Sequence, residues 1–245
     1  MSGGMRMTHG WTMSMAWMRM GEQTWLGASV SFMGMWVVMM VAMMLPSLVP
    51  MILRYRRSVI APDARLVGLS ALVSAGYFLV WTACGLVVYP IGVVLAAVEM
   101  RWPVVASSVP IATGVVVLLA GCVQFSAWKG RRLAHCRDGR TCGGSLRPGF
   151  TSASRHGVTL GVHCVLCCSC LMVVLLVTDV MSLSGMALVA GAITFERIGS
   201  KHRRTAPAIG VVVIAVGAVM IARALSAPSG IAALQRDSPQ LGWRP

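Results

Sequence analysis

Sulfur-containing side chains are concentrated in two apolar stretches of the sequence, residues 36–50 and residues 164–170. The first stretch contains Met39, Met40, Met43 and Met44, and the second contains Cys164, Cys167, Cys168 and Cys170. Thioether and thiolate sulfur are soft ligands, and soft ligands select soft metal ions. Such ligands in an apolar environment predict a binding site for monovalent copper, Cu(I).

The charge and the spacing of these ligands favour Cu(I) over zinc. One thiolate neutralises Cu(I), and neutral methionines can complete its coordination, whereas a divalent ion in hydrocarbon needs two ionised thiols. Zinc sites usually combine two separated pairs of Cys or His ligands. The cysteine stretch has no matching second pair, although His163 precedes it as an alternate ligand.

Helical spacing arranges the sulfur-containing residues in rows. Residues four apart on a helix lie on one face, so positions 35, 39 and 43 form one row and positions 40 and 44 form the next. In the cysteine stretch, positions 164, 168 and 172 form a row, and position 167 lies beside 164. The predicted metal ligands are Met39, Met40, Met43, Met44, Cys164, Cys167, Cys168 and Met172.

Packing is the alternative explanation for each of these residues taken singly. Met and Cys often fill buried apolar space without binding a ligand. For Cys84 and Cys122, each alone in its apolar run, we favour packing, and Cys170 lies on a different face from the other cysteines. Two sulfur clusters, each near the middle of its apolar run, are less expected from packing, so together they favour a metal site.

The composition indicates that the apolar environment of the two sulfur-rich stretches is a lipid bilayer. The chain has 245 residues, of which 57% are hydrophobic and only 11% charged, and this leaves too little polar surface for a soluble globule. Six apolar runs are long enough to be membrane helices, at residues 29–53, 67–90, 103–126, 157–178, 181–197 and 206–225. We therefore predict an all-α, polytopic membrane protein with a bundle of about six transmembrane helices. The fifth run is the shortest and is expected to span only partly or with a tilt.

The domain organisation follows from the same runs. A Met- and Trp-rich tail at 1–28 is followed by the membrane domain at 29–225 and a disordered tail at 226–245, and the membrane domain includes a basic loop at 129–155. Fifteen of the 21 basic residues fall in the loops after the first, third and fifth runs, which places these loops in the cytoplasm and both termini outside it. The net charge of +14 is explained by these loops and by contact with membrane lipid, so we expect no nucleic-acid binding.

Two further groups of soft ligands lie outside the apolar runs. The amino-terminal tail contains three Met-x-Met units, at residues 5–7, 13–15 and 18–20, together with His9. Weak thioether ligands on this tail are suited to capturing Cu(I), and its tryptophans are equally suited to anchoring the tail at the membrane surface. In the basic loop, His135, Cys136 and Cys142 form a possible transfer site, for which lipid binding by the loop is the alternative.

The first sulfur-rich stretch resembles the first-helix motif of a bacterial family of predicted metal-binding integral membrane proteins, described as copper-chaperone-like. The resemblance covers roughly residues 30–200. The matching positions are Trp36 to Pro50, Gln124, Lys129, His135-Cys-Arg137, Arg147-Pro-Gly149, Gly157-x3-Gly161-x2-Cys164-x2-Cys167-Cys168-x2-Leu171-Met172, Met181 and Glu196-Arg197. The chain departs from the family pattern at Leu166, where Gly is expected, and at Ser169, where an aromatic residue is usual. Neither departure removes a sulfur ligand.

The resemblance implies a multi-pass protein of the bacterial inner (cytoplasmic) membrane that binds Cu(I) and delivers it to a partner cuproprotein or membrane complex. Two alternatives stay open, a passive metal permease and a structural or assembly subunit whose sulfurs only pack. The chain has no phosphate-binding glycine loop, no His-Glu-x-x-His motif and no aspartyl-phosphate domain, so we do not expect an enzyme. We expect Glu196 to form a structural ion pair with Arg197 or a neighbouring loop arginine.

Overall fold

The computed structural model describes residues 4–6, 12–14, 17, 24–59, 62–126, 129–130, 149–178, 182–198 and 202–226. Within these residues the chain forms six helices. They are α1 (Trp25–Ser58), α2 (Asp63–Arg101), α3 (Pro103–Val123), α4 (Phe150–Thr178), α5 (Leu183–Ile198) and α6 (His202–Ser226). A short antiparallel ribbon of β1 (Gly4–Arg6) and β2 (Thr12–Ser14) precedes them, with Met5 opposite Met13. The predicted all-α class is confirmed, with this ribbon as the one addition in the described part of the chain.

Five of the six described helices are long and apolar enough to cross a membrane. They are α1, α2, α4, and the segments Val104–Val123 of α3 and Thr205–Ser226 of α6. Helix α5 has 16 residues, which is about 24 Å at 1.5 Å per residue and short of the roughly 30 Å of hydrocarbon in a bilayer. The chain is therefore a polytopic helical membrane protein, and α5 is its short element.

Four of the helices, α1, α2, α4 and α6, extend beyond the apolar runs that predicted them. Helix α1 begins at Trp25, where the Thr24 hydroxyl accepts a hydrogen bond from the Gly27 amide at 3.1 Å, and it ends at Ser58 after Arg56 and Arg57. An oxygen at this position satisfies a backbone N–H that no helical carbonyl can reach. Helix α4 begins at Phe150, so the last residues of the predicted basic loop are helical. Hydropathy marks the part of a helix in hydrocarbon and leaves its polar ends unmarked.

Glycines bring α2 and α4 into close contact. A Cβ added at Gly157 would overlap the Val73 carbonyl oxygen, and one added at Gly161 would lie 3.0 Å from the Tyr77 carbonyl oxygen. Small residues at a helix interface let the two backbones approach in this way. Because the contacts advance from Val73 to Tyr77 on α2 as they advance from Gly157 to Gly161 on α4, the two helices run parallel.

A second pair of glycine contacts joins α3 to α6. A Cβ at Gly217 would lie 3.1 Å from the Gly114 carbonyl oxygen, and a Cβ at Gly121 would lie 3.2 Å from the Gly210 carbonyl oxygen. The residue numbers rise on one helix as they fall on the other, so α3 and α6 are antiparallel. These two pairs, α2 with α4 and α3 with α6, form the most extensive helix interfaces of the described chain.

A buried ion pair connects the region after α3 to α5. The Lys129 ammonium lies 3.0 Å from Glu196 Oε2 and also donates to Gln124 Oε1, and the two charged side chains are 1% and 4% exposed. The predicted role of Glu196 in an ion pair is therefore correct. Its partner Lys129, 67 residues away, was not among the arginines suggested by the sequence.

Candidate metal centre

The eight predicted ligands lie in one buried cluster. Met39, Met40, Met43 and Met44 of α1 and Cys164, Cys167, Cys168 and Met172 of α4 all belong to it, together with aromatic and aliphatic residues of α1, α2 and α4. Met44 and Cys164 are 0% exposed. The structure thus brings the two sulfur clusters of the sequence together at the α1–α4 contact, out of reach of water. Whether they bind metal stays a prediction.

The antiparallel direction of α1 and α4 sets which residues meet. The Cys164 thiol contacts the thioether of Met44, and nearer the other end of the contact the rings of Tyr55 and His156 stack with their centroids 5.3 Å apart. The numbers rise on α1 as they fall on α4. With Met44 opposite Cys164, Met40 and Cys168 are each one turn further along in the same direction, so these two residues lie at the same level.

Three sulfur atoms are in contact at the centre of the cluster. Cys164 Sγ lies 4.0 Å from Met44 Sδ and 3.9 Å from Cys168 Sγ. A metal–sulfur bond is about 2.3 Å long, so sulfurs in a trigonal plane around one ion are about 4.0 Å apart. The two separations from Cys164 Sγ match this value, so both thiols and the Met44 thioether are candidate ligands of one ion.

The donor set suits a soft ion better than a hard one. Among the described residues, no group of three or more His, Cys, Asp or Glu side chains is close enough to hold a metal. Cys167 is buried in the cluster, and His163, which directly precedes Cys164 in the sequence, is half-buried. A zinc site of four Cys or His ligands therefore has no basis in this part of the chain. A thioether completes the sulfur set, which is the chemistry that Cu(I) accepts.

Helix α2 contributes a residue that sequence reasoning missed. The Tyr77 hydroxyl lies 2.9 Å from Cys164 Sγ, and Tyr77 is 0% exposed. With the Cys164 thiol donating to Met44, its lone pairs are left to accept from Tyr77. A buried tyrosine hydroxyl usually has a hydrogen-bond partner, so a tyrosine in the middle of an apolar run was the available signal.

Aromatic side chains pack at one end of the sulfur cluster. Trp36 donates its indole N–H to the Trp81 carbonyl at 2.9 Å, and its ring lies against Gly85. Phe32, one turn away, contacts the rings of Tyr89 and Trp17 at centroid distances of 4.9 and 5.2 Å. The residue Trp17 thus connects the amino-terminal segment to α1 and α2. Trp17 itself therefore lies next to the end of α1 that leads to Met39 and Met40.

The other sulfur-containing residues lie outside the three-sulfur contact or outside the described chain. Cys122 is exposed, and Cys84 and Cys170 are half-buried; all described cysteines are thiols and not disulfides. His135, Cys136 and Cys142, the possible transfer site, fall outside the described residues, as do Met7, His9, Met15, Met18 and Met20 of the tail. For these two groups the hypotheses of the sequence analysis are unchanged.

Comparison with protein families matches residues 33–220 to the family PpoB2, described as copper chaperone. The match covers most of the chain and includes all eight predicted ligands, and it confirms the resemblance that the motifs suggested. Comparison with curated proteins gave no match. Comparison with solved structures gave none either.

Proposed function

We propose that this chain, which belongs to the PpoB2 copper-chaperone family, binds Cu(I) between α1 and α4 and delivers it to a partner cuproprotein. The observation that carries the proposal is the position of Cys164 Sγ 4.0 Å from Met44 Sδ and 3.9 Å from Cys168 Sγ, separations suited to ligands of one metal ion. The remaining methionines of the cluster supply further thioethers along the same contact.

Burial of the site supports a role in holding and handing over the ion, without catalysis. Free Cu(I) is soft and avid for thiols, and a sulfur pocket closed to water keeps it from unwanted ligands. We propose that the protein lies in the inner membrane with both termini outside the cytoplasm, so that the methionine-rich tail collects the ion on the outer side. The Trp17 contact with Phe32 would keep this tail beside the pocket.

The test is metal binding by the purified full chain in detergent, loaded anaerobically with Cu(I). Wild type is expected to retain about one copper per chain, because the site offers one set of soft ligands. The double variant Cys164→Ser, Cys168→Ser is expected to retain only background copper. Cys122→Ser, which removes a thiol from the exposed face of α3, is the matched control and is expected to bind as wild type does.

Three results separate this proposal from the alternatives. Equal copper in wild type and the double variant would contradict the site. Copper entry into proteoliposomes filled with a Cu(I) chelator, at a rate that depends on the protein, would indicate a permease. If wild type binds no copper and both serine substitutions leave the fold unchanged, the sulfurs only pack.

A further inference from the structure

We propose that α2 provides two hydrogen-bond donors to the site, the Tyr77 hydroxyl for Cys164 and the Trp81 indole N–H for Cys168, so that Cu(I) is bound by both thiolates as an anionic complex. This inference rests on the proposed function and concerns how the same site manages charge. Both donors would be positioning groups, since neither is itself a metal ligand.

The register of α2 against α4 places one donor at the level of each cysteine. Tyr77 contacts Cys164 directly. Trp81 follows Tyr77 by four residues, and Cys168 follows Cys164 by four residues. Because α2 and α4 run parallel, as their glycine contacts establish, moving four residues along either helix leads in the same direction. Trp81 therefore lies at the level of Cys168, and both belong to the same buried cluster.

The indole nitrogen of Trp81 is a donor without an acceptor. Trp81 is only 3% exposed, and its Nε1 has no hydrogen-bond partner among the described residues, although its carbonyl is used by Trp36. A buried polar group without a partner is unfavourable, so such groups are rare and often mark a functional site. An electron-rich sulfur at the level of Cys168 is the kind of acceptor that it lacks.

The charge of the loaded site explains why two donors are needed. Two thiolates and one Cu(I) carry a net charge of −1, in place of the neutral one-thiolate site expected from the sequence, and the thiol protons leave to solvent when the ion binds. An anion in hydrocarbon is unfavourable unless polar groups are directed at it. Among the described residues, the buried Lys129 and Glu196 side chains already pair with each other. Two hydrogen bonds from α2 would therefore carry the stabilisation, as donors around metal ligands do elsewhere.

The test removes each donor and keeps an aromatic side chain at each position. Cu(I) affinity is measured by competition with a soluble Cu(I) chelator, and the thiolate-to-Cu(I) charge-transfer band is recorded in the near ultraviolet. Tyr77→Phe and Trp81→Phe are each expected to weaken Cu(I) binding by about 10- to 100-fold. In both variants the band is expected to move to lower energy, because a thiolate without its hydrogen bond gives up electron density more easily.

Tyr89→Phe is the matched control, since it removes the same hydroxyl from the same helix at a residue whose ring contacts Phe32. It should leave affinity and band unchanged. Thermal unfolding of each variant is followed in parallel, and the band shift is read on protein that still holds copper. A purely structural role would not produce that shift.

The outcomes separate this inference from the proposed function. Wild-type affinity and an unshifted band in Tyr77→Phe or in Trp81→Phe would overturn the inference while the serine variants still lose copper. Copper retained by the Cys164→Ser, Cys168→Ser protein would overturn the site and the inference with it.

Discussion

Lys129→Met is expected to lower the free energy of unfolding by about 3–5 kcal/mol, the usual effect of removing one partner from a buried ion pair. The substitution leaves the Glu196 carboxylate almost fully buried, without the ammonium that now lies 3.0 Å from it. Gln124 cannot compensate through the amide oxygen that accepts from Lys129, because that oxygen does not donate. The measurement is unfolding by SDS titration in mixed micelles.

Two companion variants make the result specific. Lys129→Met combined with Glu196→Leu removes both charges, and it should recover much of the loss, since a buried pair replaced by apolar residues is often close to neutral. Arg56→Met removes a positive charge from the exposed end of α1 and should change stability little, by about 0.5 kcal/mol or less. A double variant no more stable than Lys129→Met would show that the pair itself is not the cause.

Gly157→Ala is expected to destabilise the bundle by about 1–3 kcal/mol, or more if the helices cannot separate, because overpacking a tight interface is unfavourable. The new Cβ would overlap the Val73 carbonyl and lie 2.9 Å from Val73 Cα, and this backbone cannot move aside as a side chain can. Separation of α4 from α2 would also withdraw Cys164 from the Tyr77 hydroxyl. Cu(I) affinity should therefore fall together with stability.

The control for this substitution is Gly68→Ala on the facing helix. Nothing lies within 4 Å of a Cβ at Gly68, so the change should stabilise α2 by about 0.5–1 kcal/mol through helix propensity. Wild-type unfolding of Gly157→Ala in the same SDS titration would mean that α2 and α4 are less closely packed than their glycines indicate.

The positions of the helices could be predicted from the sequence because hydrocarbon imposes a simple requirement on length and polarity. All six apolar runs correspond to helices, and the shortest run became α5, the one described helix too short to span. The ends were less predictable. Helix α2 continues through Pro90 to Arg101, eleven residues beyond the predicted end, and the residues that directly follow the proline are apolar, so neither the proline nor a loss of hydropathy ends the helix there.

The meeting of the methionine and cysteine clusters was also predictable, from the depth of each in its run. Two antiparallel helices with sulfur near their midpoints must present it at a similar level if they pack together, and Met44 does contact Cys164. Hydropathy does not predict which helices pack against each other. The approach of α2 depends on Gly157 and Gly161 against its backbone, so Tyr77 and Trp81 were not recognised.

The pairing of α2 with α4 and of α3 with α6 has a consequence for biosynthesis. Both of the extensive interfaces join helices that are not consecutive in the chain, so a series of hairpins inserted one after another does not yet contain them. Membrane helices insert first and associate afterwards. The three sulfurs can come together only after α4 has entered the bilayer and displaced lipid from α2. The interface between α3 and α6 can form only after α6, the last helix, has been inserted. A nascent chain halted before α4 would hold the methionines without the cysteines of the proposed copper site.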